Sequence, residues 1–221
     1  MHTLEELIDS LRVEGVLSSA RFAQALRRVD RKDFVPADLA ERAYEDTALP
    51  IGEGQTISQP YTVLFMLGLL APEAGGRIVD IGYGSGWQTA LLAELVGKTG
   101  RVYAIEVLPN RCASGKANVG TYPALAERID FYCQNAAPGL PDVARTVGGF
   151  DGIIAAAEVR DVPLAWREQL KIGGRLVYPR ASSIFREVKK TNGTFEMKEH
   201  PGFAFVPFVD GGERQERKRS A

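Results

Sequence analysis

From Arg77 onward the chain alternates between two hydrophobic periods. "RIVDIG" (Arg77–Gly82), "RVYAIEV" (Arg101–Val107), "IDFYCQ" (Ile129–Gln134), "FDGIIAAA" (Phe150–Ala157) and "GGRLVYP" (Gly173–Pro179) are short β-rich runs. Helical stretches near 87–96, 109–119 and 163–171 lie between them, and the 135–149 link carries a weaker pattern. Strand alternating with helix demands crossover connections, which build a parallel, doubly wound sheet with helices on its faces. The C-terminal part departs from that rule. In "FREVKKTNGTFEMKEH" two alternating runs flank Asn192-Gly193, the turn chemistry of a two-residue hairpin. "FAFVPFV" (Phe203–Val209) supplies one more strand. The expected class is α/β, a mostly parallel sheet finished by an antiparallel hairpin.

Upstream the pattern is helical. Thr3-Leu4-Glu5-Glu6 has the form of a capping box, with Leu4, Leu7, Ile8 and Leu11 on one face and Gly15 as the stop. A second helix runs from Ser19 to Val29. Pro36 opens a long loop through Tyr61, and Pro60 is tolerated in a first turn, so Tyr61–Leu70 reads as a buried helix entered from that loop. The expected division is N-terminal helices and a covering loop over 1–76, a cofactor-binding core over 77–211, and a flexible charged tail over 212–221.

Composition narrows the function classes. A chain of 221 residues with 45% hydrophobic and 25% charged residues has the make-up of a soluble globular protein with one sizeable core. Net charge is −1, so no overall field calls for nucleic acid or an anionic membrane. The basic tail "ERQERKRSA" reads as a solvated end, with an RNA or partner contact as the alternative. Cys112 and Cys133 are too sparse for a disulfide framework and read as small buried or partly buried residues. His2 and His200 stand at opposite ends of the chain, so neither a histidine triad nor a histidine metal site is expected, and no metal is assigned. No basic-then-apolar leader or membrane-length apolar run occurs, which points to the cytoplasm, and the absence of a coiled-coil repeat points to a monomer.

Two glycine-bearing segments, "LPIGEGQTISQPY" (Leu49–Tyr61) and "VDIGYGSGW" (Val79–Trp87), carry the chemistry. Gly82-Tyr83-Gly84-Ser85-Gly86 follows the first strand of the sheet, where ligands bind in open α/β folds. A nicotinamide enzyme would place a third close-packing glycine at position 87, and Trp87 stands there instead. Glu106, twenty residues after Gly86, ends the second strand, where a carboxylate accepts hydrogen bonds from both hydroxyls of a ribose. The plain alternative is a structural turn beside an exposed acid. Strand context, acid and spacing together favour a nucleoside-containing cofactor.

In order and spacing, "DRKDFVP", "ALPIGEGQTISQPY", "VDIGYGSGWQTALLAELVG", "FDGIIAAAEVRDVP", "LKIGGRLVYP" and "FAFVPF" resemble the protein-L-isoaspartate O-methyltransferases. The resemblance spans roughly residues 3 to 210, and "GQTISQP" is its most specific part. It implies a Rossmann-like methyltransferase core, S-adenosylmethionine as cofactor and isoaspartyl proteins or peptides as substrates. By the same resemblance Gln55, Thr56, Ile57 and Ser58 line the reaction site, with Ser58 in the catalytic role and Ile57, Ser58 and Gln59 toward the substrate. Gly82, Gly84 and Gly86 approach the methionine part, Glu106 holds the ribose, and Val107, Asn135 and Ala136 lie by the adenine. Ser58 is also a candidate N-cap ahead of Pro60.

Some positions depart from the family pattern. Gln134-Asn135-Ala136 replaces the usual Gly-Asp-Gly, with Asn135 keeping an acceptor oxygen. Tyr83 stands where a small residue is usual, and Glu158, Arg160 and Arg180 put charge where the family is neutral. These changes bear on substrate identity more than on the cofactor. Methylation of a different carboxylate or small acid, or cofactor binding with little turnover, are the alternatives to isoaspartyl repair.

Overall fold

The alternation that begins at Arg77 folds into a seven-stranded sheet of order β5-β4-β3-β6-β7-β8-β9. A computed structural model describes residues 3–17 and 19–209. The expected charged tail over 212–221 and His2 lie outside the described residues. β3 (Arg77–Ile81), β4 (Arg101–Glu106), β5 (Ile129–Cys133), β6 (Phe150–Ala155) and β7 (Leu170–Arg180) pair in parallel. β8 (Ser183–Lys189) and β9 (Phe195–Pro201) close the sheet antiparallel.

The strands bury both faces, as crossovers require. Ile78, Val102, Ala104, Ile154 and Val177 face a core shared with α1 (Leu4–Val13), α2 (Ala20–Arg28), α3 (Pro60–Leu70), α4 (Trp87–Val96) and α5 (Pro109–Gly120). Their neighbours Val79, Tyr103, Ile153 and Leu176 face a second core with α7 (Pro141–Val147) and α8 (Leu164–Glu168). A short α6 (Pro123–Ala126) precedes β5. The 135–149 link thus does contain a helix, and the expected 163–171 helix is the shorter α8. α1 starts on the expected capping box: Glu6 N donates to Thr3 Oγ1 at 3.2 Å and Thr3 N donates to Glu6 Oε2 at 2.7 Å.

Several expectations are corrected. The β8–β9 turn is not a two-residue hairpin. Lys190 N donates to Thr194 O, leaving three residues between them with Gly193 at φ 80°, and Asn192 Oδ1 accepts from Thr194 N at 3.1 Å. Asn192 thus bends the turn with its side chain while glycine alone takes the left-handed position. Phe203–Val209 forms no strand; a single parallel bridge joins Glu158 to Pro207, with Glu158 N donating to Val206 O. The loop before α3 contains a hairpin, β1 (Leu49–Gly52) and β2 (Gln55–Ile57), turned by Glu53 and Gly54 at φ 56° and 73°. Cys112 and Cys133 form a disulfide, with Cα atoms 5.7 Å apart, between the first turn of α5 and the end of β5. Cys112 is buried and Cys133 exposed.

Candidate active site

The sheet reverses its winding at β3, with β4 and β5 on one side and β6 and β7 on the other. A crevice opens beyond the carboxyl ends of such strands. The Gly82–Gly86 loop enters it between β3 and α4. All three glycines have positive φ, yet they serve different ends. A Cβ on Gly82 would meet nothing within 4 Å, and one on Gly84 would make only ordinary contacts, with Ile51 Cδ1 at 3.5 Å and Gly82 O at 3.9 Å. A Cβ on Gly86 would lie 2.7 Å from both Gly115 O and Val119 Cγ2. Gly86 lets the loop pack against α5 and does not line the cavity; Gly82 and Gly84 do line it.

Glu106 ends β4 beneath the loop and is 8% exposed. Its Oε2 accepts from Gly84 N at 3.1 Å, and Oε1 accepts from Val107 N at 2.7 Å and Leu108 N at 3.0 Å. These amides hold the carboxylate while leaving it lone pairs for a ligand. Asp80, fully buried in β3, accepts from Gln88 Nε2 at 2.8 Å and Thr89 Oγ1 at 2.6 Å. Burial pushes its pKa up to about 6; the two hydrogen bonds oppose the shift and Glu106 adds to it. Asp80 received no role from the sequence. The available signal was an acid between Val79 and Ile81 in an apolar strand, where a charge survives only with partners.

The cavity above these acids is walled by Ile105, Val107, Leu108 and Ala136 on one side and by Gln55, Thr56, Ile57 and Ser58 of the covering segment on another. Among the described residues, no Lys, Arg or His lines it. A cavity whose one acid is Glu106 and whose other walls are apolar or neutral polar suits a ligand carrying positive charge and a nucleoside, and its described walls offer a pyrophosphate no cation. Tyr83 also lines it, with its hydroxyl donating to Cys112 O at 3.0 Å and its ring edge-on to Phe131. Val206, Pro207, Phe208 and Val209 complete the wall and were not identified from sequence, where they read as strand.

Thr56, Ser58, Ala156 and Val206 also line a second, adjoining groove. Its other walls are Asp46, Thr47, Ala48, Gln59 and Thr62 opposite Gly202–Phe205. The Gln59 side chain is committed there, donating to Asp46 Oδ2 at 2.9 Å and accepting from Thr62 Oγ1 at 3.1 Å. Ser58 does not cap α3. Gln59 is the N-cap, and Asp46 Oδ1 accepts from Tyr61 N at 2.7 Å from across the loop. Asn135 is exposed, and its Oδ1 accepts from Ala137 N at 2.8 Å; it does not line the cavity. Glu158, Arg160 and Arg180 line neither the cavity nor the groove, although the Glu158 backbone pairs with Val206 and Phe208 of the cavity wall.

Comparison with known proteins identifies the family and the fold. The family model described as protein-L-isoaspartate(D-aspartate) O-methyltransferase matches residues 2–213. A protein-L-isoaspartate O-methyltransferase of Methanopyrus kandleri is 37% identical over 93% of this chain and 90% of its own length. One from Myxococcus xanthus is 43% identical over 74% of this chain and 73% of its own. A solved protein-L-isoaspartate O-methyltransferase superposes with a TM-score of 0.84 at 27% identity, covering 99% of this chain and 70% of that one. A Plasmodium falciparum chain solved with S-adenosyl-L-homocysteine superposes equally well, with a TM-score of 0.84 at 22% identity over 95% of this chain and all of that one, and shows the same fold.

Proposed function

The chain belongs to the protein-L-isoaspartate(D-aspartate) O-methyltransferase family, and from that premise we infer that it methylates the free α-carboxylate of L-isoaspartyl residues in damaged proteins, using S-adenosylmethionine. The observation that carries this reading is the seam at Thr56, Ser58, Ala156 and Val206, where the cavity that holds Glu106 meets a second groove. A cavity alone would serve a small acid. An adjoining groove gives room for the polypeptide on either side of the reacting residue.

A carboxylate with a pKa near about 4 is already ionised at neutral pH, so no residue need remove a proton. When bound, S-adenosylmethionine supplies a methyl group activated by its own sulfonium. Placement and exclusion of water are what remain for the protein. Gln55, Thr56, Ile57 and Ser58 cover the methyl donor, with buried Ile57 keeping water out. The Ser58 hydroxyl, without a hydrogen-bond partner among the described residues, orients the carboxylate at the seam. Gly82 and Gly84 admit the methionine part, Glu106 accepts from the ribose hydroxyls, and Val107 and Ala136 flank the adenine. Asn135 acts on that side by bending the chain into Ala136.

We place the protein in the cytoplasm as a monomer, with neither nucleic acid nor membrane as partner. A net charge of −1 supports this reading, and no helix among the described residues is long and apolar enough to cross a membrane. The Cys112–Cys133 bond is the feature a reducing compartment would challenge.

Calorimetry with S-adenosylhomocysteine tests the cofactor half of the reading. The wild type binds, and Glu106→Ala loses about 1–3 kcal/mol, the order expected for charge-assisted hydrogen bonds. Binding of NAD with no response to S-adenosylhomocysteine would overturn it.

A further inference from the structure

Arg31 is 1% exposed, and the activity described above gives it no task. Its guanidinium donates to four backbone carbonyls on either side of the β1–β2 hairpin. Nη1 bonds Ala43 O at 2.8 Å and Glu45 O at 3.3 Å; Nη2 bonds Thr47 O at 2.9 Å and Ser58 O at 3.0 Å. The same guanidinium lies 5.3 Å from the ring centre of Trp87, the first residue of α4 after the glycine loop. Trp87 Nε1 in turn donates to Val29 O at 3.3 Å, two residues before Arg31. One buried cation therefore joins the covering segment to the element that follows the cofactor loop.

We propose that Arg31 is a positioning residue for methyl transfer: by gripping Thr47 O and Ser58 O against Trp87, it sets where the 55–59 segment stands over the cavity. The proposal rests on the functional reading above. A fold with no interest in that placement has cheaper ways to close a loop, because burying a cation costs free energy unless every donor is used. Here Nε finds no hydrogen-bond partner among the described residues, so the cation is retained without full compensation. A planar fork reaches several divergent carbonyls at once, which the point charge of a lysine does not. Arg31 touches neither ligand nor substrate cavity, so it acts through the Ser58 backbone rather than on the reacting atoms.

The test uses the full chain with Arg31→Lys and Arg31→Gln. Each is melted, titrated with S-adenosylhomocysteine, assayed for kcat and KM on an isoaspartyl peptide below its melting transition, and followed by hydrogen exchange with S-adenosylhomocysteine present. Expected are a fall in kcat of about tenfold or more, the scale of a misplacement of the reacting pair, and cofactor affinity changed by less than about threefold. Amides of 55–59 should exchange faster while those of β3 and β4 do not. Unchanged kcat per folded molecule with a lowered melting temperature, or unchanged exchange in 55–59, overturns the proposal and leaves Arg31 a stabilising residue. Failure of both variants to fold overturns it as well. If the wild type itself leaves the isoaspartyl peptide unmethylated, the functional reading fails, and the exchange experiment still decides whether Arg31 holds the segment.

Discussion

The Ser58 hydroxyl stands at the seam of cavity and groove while Asp46 caps α3, so removing it separates chemistry from stability. Ser58→Ala should lower turnover of an isoaspartyl peptide by about tenfold, because a lost orienting hydrogen bond of about 1–2 kcal/mol is worth a factor of about five to thirty. The melting temperature should stay where it is; a clear drop would return Ser58 to a structural role. Asp80 gives a pH test with a definite sign. Its pKa is raised to about 6 in the folded protein, so between about pH 4 and 6 the folded state holds a proton that the unfolded chain has released. Stability from this group is therefore full at the acid end, falls as pH rises through that window, and is level above it. Asp80→Asn still accepts from Gln88, and its amide can donate to Thr89 Oγ1. Chemical denaturation across pH 4 to 7 should show that the variant lacks the wild-type decline from this site; identical profiles would contradict it. Residues of this kind are where sequence reading fell short. Arg31 and Asp46 take their meaning from distant partners such as Ser58 O, 27 residues away from Arg31, and no local pattern announces such a bond.

Among the elements, the strands and helices with clear periods were legible, and the irregular connections were not. β3, β4 and α4 begin and end where apolar runs and glycines place them. The 49–61 stretch read as loop because β1 and β2 are short and interrupted by Pro50 and Gly52, although two successive positive φ values at Glu53 and Gly54 suffice to turn a hairpin. Phe203–Val209 misled in the opposite sense. Its alternating aromatic residues mimic a strand, but they pack irregularly, Phe203 on Phe65 and Phe208 on Trp166, and wall the site instead. The disulfide was missed because two cysteines form no framework and only the fold brings α5 beside β5. It closes a loop with a sequence separation of 21, which the chain-entropy account values at about 3 kcal/mol. Thermal melts should therefore show reductant lowering the wild-type transition by about 6–12 °C and leaving that of Cys112→Ser unmoved. Exposed Cys133 leaves the bond accessible to reductant, so an unshifted wild-type melt would mean the bond is not formed in solution.

At the scale of the molecule, alternation of strand and helix announced the sheet but not its order. The order β5-β4-β3-β6-β7 follows from where each crossover finds an apolar face, a matter of packing between distant segments. That order matters because it puts the winding reversal at β3, and with it the cavity, opposite the covering hairpin. The two glycine-bearing segments, fewer than about twenty residues apart in a chain whose loops are mostly short, are thereby brought face to face. Cofactor and peptide are expected to meet between them. The direct test is methyl transfer from labelled S-adenosylmethionine to an isoaspartyl peptide, run beside the same peptide with a normal aspartyl residue. The wild type should label the isoaspartyl peptide in an S-adenosylmethionine-dependent, saturable way and leave its aspartyl twin essentially unlabelled. Equal labelling of the two, or labelling of neither by a protein that binds the methyl donor, would contradict isoaspartyl methylation as the activity of this chain.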